Sequence, residues 1–240
     1  MWKRVTVGRS GADVRRGPGM YRKSSSDAEA EAAALVWLRK QGLPAAEVLD
    51  VGPDWLITRE IVGCTAADPW PEDQRLRVVD SLAEITGDLH ALAVRDCPFD
   101  RTLGVTVASA REAVVAGRVD LDDLDEERRD WTRSQLLDAL NAQQQEMRAR
   151  EVLSVTHGDW CLPNVVLDPA TVTVVGILDT ARVGRADRYT DLALMSRSLG
   201  SDRLNSQYGS RYARRYLSRC DHSPVEDDKL DFYRLLDEFF

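Results

Sequence analysis

The stretch that decides the fold runs from Ser154 to Asp191 and reads SVTHGDWCLPNVVLDPATVTVVGILDTARVGRADRYTD. Brief β-like runs precede His157 and follow Asn164, and the run TVTVVGILD divides into another pair of strands. The polar residues therefore fall at strand ends, where loops can aim side chains into a cleft. The tripeptide His-Gly-Asp alone also fits a simple turn in which the aspartate bonds local amides.

The spacing of three polar residues in this stretch indicates a more specific chemistry. Asn164 lies five positions after Asp159, and Asp179 lies fifteen positions beyond that, each close to a β-like run. Oxygen donors on adjacent strands suit Mg²⁺, which takes one or two protein ligands and completes its shell with water and phosphate. We therefore predict Asn164 and Asp179 as magnesium ligands. Asp159 is left to orient a hydroxyl and accept its proton during phosphoryl transfer.

Composition and charge limit the classes of function. The chain has 240 residues, 43% hydrophobic content and a net charge of −8. The length and hydrophobic content predict one domain or two closely joined lobes. The negative charge predicts no nucleic-acid partner and no membrane partner, and it favours a cationic small molecule. The N-terminus lacks a signal-peptide core, which predicts a cytoplasmic protein. The four cysteines are scattered, which argues against a disulfide framework or a zinc site.

Outward from this stretch, the chain divides into a sheet-rich beginning and a helical remainder. Short β-like segments with glycine turns surround one alanine-rich helix over Asp27–Gln41. Beyond a boundary near Thr58–Gly63, apolar periodicity predicts further helices. They span 72–92, 105–117, 132–149, 189–198, 207–219 and 225–240. We therefore predict an α+β chain with a nucleotide-binding lobe over 1–60, followed by a helical lobe over 61–240 that holds the catalytic loop, metal site and substrate pocket.

The strings HGDWCLPN and GILD match the pattern H-G-D-x-x-x-x-N followed by I-D, and here the chain resembles the aminoglycoside phosphotransferases. The further strings CPFD, DLDDLDEER, GRADRYTDLAL and FYRLLDEFF are similar to the 3′-phosphotransferase branch, and the resemblance runs from Glu31 to Phe240. It implies a two-lobed protein-kinase-like fold with a small antiparallel sheet and a mainly helical second lobe. It also implies ATP- and magnesium-dependent phosphorylation of an antibiotic hydroxyl, at the 3′ position, which inactivates the drug.

The resemblance also assigns roles by position on the nucleotide side. It makes Asp159 the catalytic aspartate and His157 a structural residue of the catalytic loop. Lys23 is expected on the ATP phosphates, paired with Glu31 in preference to Glu29. The remaining nucleotide-binding positions are the glycine-turn residues and the hinge main chain, at Ser10, Gly11, Arg59 and Ile61.

On the substrate side, the resemblance implies a pocket lined with carboxylates for the ammonium groups of the drug. The positions are Asp123, Asp125, Glu126, Asp237, Glu238 and the terminal carboxylate of Phe240. Arg197 matches a family position, and Arg182 matches one near substrate and phosphate. On the residues alone, the acidic runs also fit ordinary solvated charge, and Arg182 also fits a surface arginine paired with Asp187 or Asp191. We expect a monomer or a weak dimer.

Four other functions compete with this one. A kinase of another hydroxylated metabolite or antibiotic would keep the same chemistry. A nucleotide-binding module without catalysis would have no reason to keep Asp159, Asn164 and Asp179. A metal hydrolase would need further ligands, but His90 and His222 lack motif spacing, and the chain has no G-x-x-x-x-G-K-[ST] loop for a P-loop ATPase.

Overall fold

A computed structural model of the chain describes residues 2–5, 13–220 and 224–240. The predicted nucleotide-loop residues Ser10 and Gly11 lie outside these ranges, as does His222. The first part of the described chain is a five-stranded antiparallel sheet in the order β1-β2-β3-β5-β4. Its strands are β1 (Lys3–Arg4), β2 (Asp13–Gly17), β3 (Met20–Ser24), β4 (Val48–Gly52) and β5 (Trp55–Arg59).

Helix α1 (Ala28–Lys40) packs against this sheet, as the alanine-rich sequence predicts. Its first turn carries Glu29 and Glu31 and its last turn carries Arg39 and Lys40, so both ends complement the helix dipole. The helix is followed by Gly42 with a φ of 89°, a left-handed conformation that glycine adopts without strain. This turn sends the chain into β4.

The second part of the chain is mainly helical, and all six predicted helices beyond α1 are confirmed with small shifts at their ends. A capping box between Thr132 and Gln135 fixes the start of one of them. The helices are α2 (Arg75–His90), α3 (Leu103–Val115), α4 (Arg133–Ala149), α5 (Tyr189–Gly200), α6 (Ser210–Cys220) and α7 (Asp227–Asp237). Within the described residues, none of the helices has the length and apolar character needed to cross a lipid bilayer.

Five short strands cross the helical part and carry the loops of the Ser154–Asp191 stretch. They form a two-stranded sheet of β7 and β10 and a three-stranded sheet of β6, β8 and β9. The strands are β6 (Cys64–Thr65), β7 (Leu153–Thr156), β8 (Val165–Leu167), β9 (Val174–Ile177) and β10 (Gly184–Asp187). Together with the five-stranded sheet and the helices, they confirm the α+β class.

One strand prediction is wrong. The run TVTVVGILD does not divide into two strands, because its first half forms a turn and only β9 is extended. Val172 has a φ of 58° and donates its amide to the carbonyl of Asp168, while its side chain is buried. An apolar run without alternation does not distinguish a buried turn from a strand. The partner of β9 is β8, and β10, which the sequence did not indicate, pairs with β7 in the other sheet.

Two contacts join the first sheet and α1 to the end of β9. The amide of Ile177 donates to the carbonyl of Pro44 at 2.8 Å. The hydroxyl of Thr180 donates to the carbonyl of Glu31 at 3.2 Å. Both contacts flank Asp179, so the segment that carries this residue is fixed against α1.

A buried ion pair connects α7 to β10. Lys229 is 2% exposed, and its ammonium group lies 3.0 Å from a carboxylate oxygen of Asp187, which is fully buried. Lys229 also donates to the carbonyl of Arg150 at 2.7 Å. The pair therefore fixes α7 against β10, one of the strands of the Ser154–Asp191 stretch.

We predict that Lys229→Met destabilises the protein by about 3 kcal/mol, because the Asp187 carboxylate then stays buried without its cation. Urea-induced unfolding measures the loss. The matched control is Lys40→Met at the exposed end of α1, which is expected to change the free energy of unfolding by less than about 0.5 kcal/mol. Equal stabilities for the two variants contradict the prediction.

Candidate active site

A buried carboxylate shapes the loop that follows β7. Asp191, on α5, is fully buried and accepts hydrogen bonds from the amides of His157 and Gly158 at 2.9 and 3.0 Å. The ring of His90, on α2, lies 3.0 Å from the same carboxylate. Gly158 has a φ of 84°, and a Cβ there would collide with the carbonyl oxygen of Arg182. The loop therefore needs both the buried acceptor and the glycine.

The ring of His157 connects this loop to the residue that follows β9. Its Nδ1 accepts the amide of Asp159 at 3.3 Å, so Nε2 carries the proton and donates to the carbonyl of Leu178 at 2.9 Å. Both ring nitrogens of this neutral tautomer are thus used, and the ring packs 4.9 Å from Trp160. These contacts fit the expected structural role of His157.

Asp159 is half-buried, and hydrogen bonds fix both its backbone carbonyl and its carboxylate. The side-chain amide of Asn164 donates to the backbone carbonyl of Asp159 at 2.8 Å and to its carboxylate at 3.0 Å. The thiol of Cys161 lies 3.8 Å from the other carboxylate oxygen, and burial and the nearby Asp159 carboxylate raise the pKa of that thiol. Asp159 is therefore oriented while the residue stays partly exposed to solvent.

Asp179 follows β9 in a left-handed conformation, with φ 58° and ψ 55°, which is rare outside glycine and asparagine. Its carboxylate lies 2.6 Å from the ammonium group of Lys23, which lies 3.0 Å from Glu31 on α1. Burial opposes the charge on Lys23, but Glu31 and Asp179 outweigh it and raise the pKa of Lys23. The structure thus brings together the predicted phosphate-binding lysine, its predicted glutamate and one predicted metal ligand.

The donor set of Asn164 and Asp179 fits a magnesium ion. Asn164 uses its amide nitrogen on Asp159 and Asp179 uses Oδ1 on Lys23, so each keeps an oxygen that accepts no hydrogen bond from the described part of the chain. The described residues contain no group of three His, Cys, Asp or Glu side chains that could hold a metal by themselves. Two free oxygens match Mg²⁺, which relies on phosphate and water for its other ligands.

The predicted hinge follows β5. The side chain of Arg59, the last residue of β5, is exposed and pairs with Glu47 at 2.6 Å, and its amide donates to the carbonyl of Glu47 at 2.8 Å. The amide of Ile61 has no hydrogen-bond acceptor among the residues described, which leaves a donor for a ligand. The Ile61 side chain packs against Gly176 of β9, where a Cβ would collide with it.

Two of the predicted substrate carboxylates, Asp237 and Asp125, pair with arginines. Asp237 accepts from Arg182 at 2.8 Å and from Arg197 at 2.6 Å. Burial alone would raise the pKa of Asp237, but the two guanidinium groups lower it. Arg197 also reaches Asp125 at 3.0 Å. The alternative pairing of Arg182 is wrong, because its partner is Asp237 and neither Asp187 nor Asp191.

Glu238 occupies a different environment at the end of α7. Its carboxylate accepts the amide of Asp125 at 3.3 Å and lies 3.2 Å from the guanidinium group of Arg128. Burial, with a contribution from the Asp125 carboxylate, raises the pKa of Glu238 to about 7. Glu238 is therefore partly protonated near neutral pH in the free protein.

The remaining predicted substrate residues are more exposed. Asp123 and Glu126 point into solvent, and Glu126 makes only a loose pair with Arg129 at 3.8 Å. The ring of Phe240 is half exposed and lies 5.2 Å from the Arg182 guanidinium carbon. Phe239 is buried and anchors the chain terminus beside this ring.

The sequence reasoning missed the residues that hold the site in shape. Asp191 entered only as an alternative partner of Arg182, and His90 only as a possible metal ligand. Arg128 lies in the string DLDDLDEER, whose sequence alone indicates no role for it. A carboxylate in the otherwise apolar segment YTDLALM was the one available signal, because a charge on the buried face of a helix requires partners.

Comparisons with known proteins identify the family of the chain. A sequence model of the phosphotransferase enzyme family matches residues 3–233. An aminoglycoside 3′-phosphotransferase of Streptomyces fradiae is 44% identical over 258 aligned positions, which cover 100% of this chain and 95% of the relative.

Two solved structures extend the agreement to three dimensions. The crystal structure of aminoglycoside-3′-phosphotransferase of type VIII superposes with a TM-score of 0.89 at 42% identity, over 100% of this chain and 93% of that one. Aminoglycoside phosphotransferase APH(3″)-Id of Streptomyces rimosus, in complex with ADP and streptomycin, superposes with a TM-score of 0.84 at 31% identity, over 99% and 92%. These likenesses confirm the two-lobed protein-kinase-like fold, and the chain belongs to the phosphotransferase enzyme family.

Proposed function

We propose that this chain transfers the terminal phosphoryl group of ATP to the 3′-hydroxyl of an aminoglycoside antibiotic and so inactivates it. The observation that carries the proposal is the connected set of contacts around one cleft. Lys23 pairs with Asp179, and Asn164 bonds to Asp159. Arg182, which pairs with Asp237, also interacts electrostatically with Asp159 and Asp179 and so links the two groups. The relatives named as aminoglycoside 3′-phosphotransferases, and the relative solved with ADP and streptomycin, support the choice of donor and acceptor.

In this proposal the residues work mainly by position and charge. Asp159 orients the acceptor hydroxyl and takes its proton, since its carboxylate is fixed by Asn164 while the residue stays partly exposed. Lys23, held by Glu31, carries the positive charge for the nucleotide phosphates. Asn164 and Asp179 would hold Mg²⁺, which neutralises charge on the phosphates when bound. A covalent enzyme intermediate is not needed.

A group of carboxylates, here called the acidic wall, accounts for a cationic acceptor. It consists of Asp123, Asp125, Glu126, Asp237 and Glu238. Arg182 and Arg197 hold the Asp237 carboxylate in one orientation, while Asp123 and Glu126 project from the neighbouring loop. Ammonium groups of an aminoglycoside are attracted by these carboxylates and by the chain terminus next to Phe240. This arrangement selects for amino sugars over neutral alcohols.

The acceptor is tested by ADP formation with ATP and magnesium. We expect ADP with an aminoglycoside that has a 3′-hydroxyl, little or none with its 3′-deoxy analogue, and a phosphate on the 3′ oxygen in the product by ³¹P NMR. Turnover of streptomycin but of no 3′-hydroxyl drug would move the reaction to the 3″ position. Absence of ADP with every amino sugar contradicts the proposal.

The role of Asp159 predicts a split between catalysis and nucleotide binding. Asp159→Asn keeps the shape of the side chain but removes the proton acceptor, so kcat should fall by about 10²–10⁴-fold. Calorimetric ADP affinity should stay unchanged. Asp73→Asn, at an exposed position before α2, is the matched control and should keep full turnover. Full turnover in Asp159→Asn rules out the assignment.

The environment of Glu238 predicts a proton linked to drug binding. Its pKa is raised to about 7, so an arriving ammonium group stabilises the ionised form and drives out a proton near and below that pH. Calorimetry in buffers of different ionisation enthalpy measures the release. At pH 6.5, wild type should release more protons than Glu238→Gln with the same drug, and the difference should vanish by pH 9, where Glu238 is already ionised. Equal release by the two proteins at pH 6.5 is the contrary result.

A further inference from the structure

A group of polar side chains outside the described chemistry lies on the inner face of the five-stranded sheet. Side chains alternate between the two faces of a strand, so Tyr21 shares the face of Lys23, two residues away. Arg16 is directly opposite Tyr21 in the register of β2 and β3 and lies on the same face. Arg22 points to the other face, where its guanidinium carbon lies 5.5 Å from the Trp55 ring centroid.

Glu60, the residue after β5, connects this group to the hinge through three contacts. Its amide donates to the carbonyl of Gly19, in the turn between β2 and β3, at 3.0 Å. Its carboxylate lies 2.5 Å from the guanidinium group of Arg16. The same carboxylate lies near the hydroxyl of Tyr21, where burial and the charge of Glu60 raise the pKa of that tyrosine. Its side chain is only 17% exposed, so these contacts are partly shielded from solvent.

The place of Glu60 in the chain gives these contacts a consequence for the nucleotide. Glu60 lies between Arg59 and Ile61, the two residues whose main chain is proposed to bind the base. The strand that follows Gly19 carries Lys23, proposed to bind the phosphates. The three contacts therefore connect both ends of the nucleotide site through a single hairpin.

We propose that Glu60 is a positioning residue for the nucleotide, which sets the distance between the base-binding hinge and the phosphate-binding Lys23 before ATP arrives. The inference rests on the proposed use of ATP. A pre-formed site avoids the free-energy cost of ordering the hinge and hairpin on binding, so the effect falls on nucleotide affinity. Asp159 and the acidic wall lie on other elements and are not affected.

The test is Glu60→Ala, assayed for kcat, for the KM of ATP and for the KM of the aminoglycoside. Loss of a charge-assisted hydrogen-bond pair should raise the KM of ATP by roughly tenfold. The other two constants should stay within about twofold, a change of less than half a kcal/mol. Glu60→Gln, which keeps an acceptor for Tyr21 but loses the charge facing Arg16, should give an intermediate rise. The control is Arg22→Ala, on the outer face of the same hairpin, which should leave the KM of ATP unchanged.

ADP affinity, measured by calorimetry without an acceptor, separates this inference from the proposed function. If wild type binds ADP but phosphorylates no amino sugar, the proposed acceptor is wrong, and weaker ADP binding by Glu60→Ala still supports the positioning role. An unchanged ADP affinity and KM of ATP in Glu60→Ala overturn the inference. A fall in kcat together with a rise in both KM values also overturns the inference, because such a result indicates general damage to the fold.

Discussion

The catalytic loop depends on the buried carboxylate of Asp191. A charge without exposure to water is tolerated only where hydrogen bonds replace hydration, and here two backbone amides and the His90 ring do so. The same bonds satisfy amides that a loop without regular pairing would leave buried and unpaired. Asp191 thus fixes the backbone of His157 and Gly158, and the next residue, Asp159, emerges in one direction. Helices α2 and α5 therefore determine where the carboxylate of Asp159, the proposed base, lies.

A second constraint acts across the cleft, between Lys23 and Asp179. The left-handed backbone of Asp179 is unfavourable for an aspartate, and such strain persists only where surrounding contacts fix the conformation. Thr180 bonded to α1 and Ile177 bonded to Pro44 hold the chain on both sides of it. The contacts that join the first sheet to β9 thus hold Asp179 in reach of Lys23, so the packing of the sheet also determines the geometry of the site.

The sequence could predict features that a local pattern encodes, but not those that depend on contacts between distant residues. Helices such as α2 have apolar periodicity over several turns, and Asp159, Asn164 and Asp179 follow a short motif, so both could be predicted. The two-residue strand β6 has no period to detect, and the turn at Val172 is hidden in a β-branched run. The hold of Asp191 on Gly158 spans 33 residues and depends on how α5 packs, which no local pattern encodes.

Arginines among the carboxylates have a physical role in the proposed pocket for cations. Buried carboxylates placed close together tend to take up protons, and at Glu238 burial, followed by repulsion from Asp125, raises the pKa. At Asp237 the guanidinium groups of Arg182 and Arg197 remove that repulsion and keep the carboxylate ionised. They also restrict its orientation, because each bond fixes one oxygen. The proposed pocket can therefore form before a ligand arrives. Asp237 is already ionised there, whereas the charge of its neighbour Glu238 still responds to a bound ammonium group.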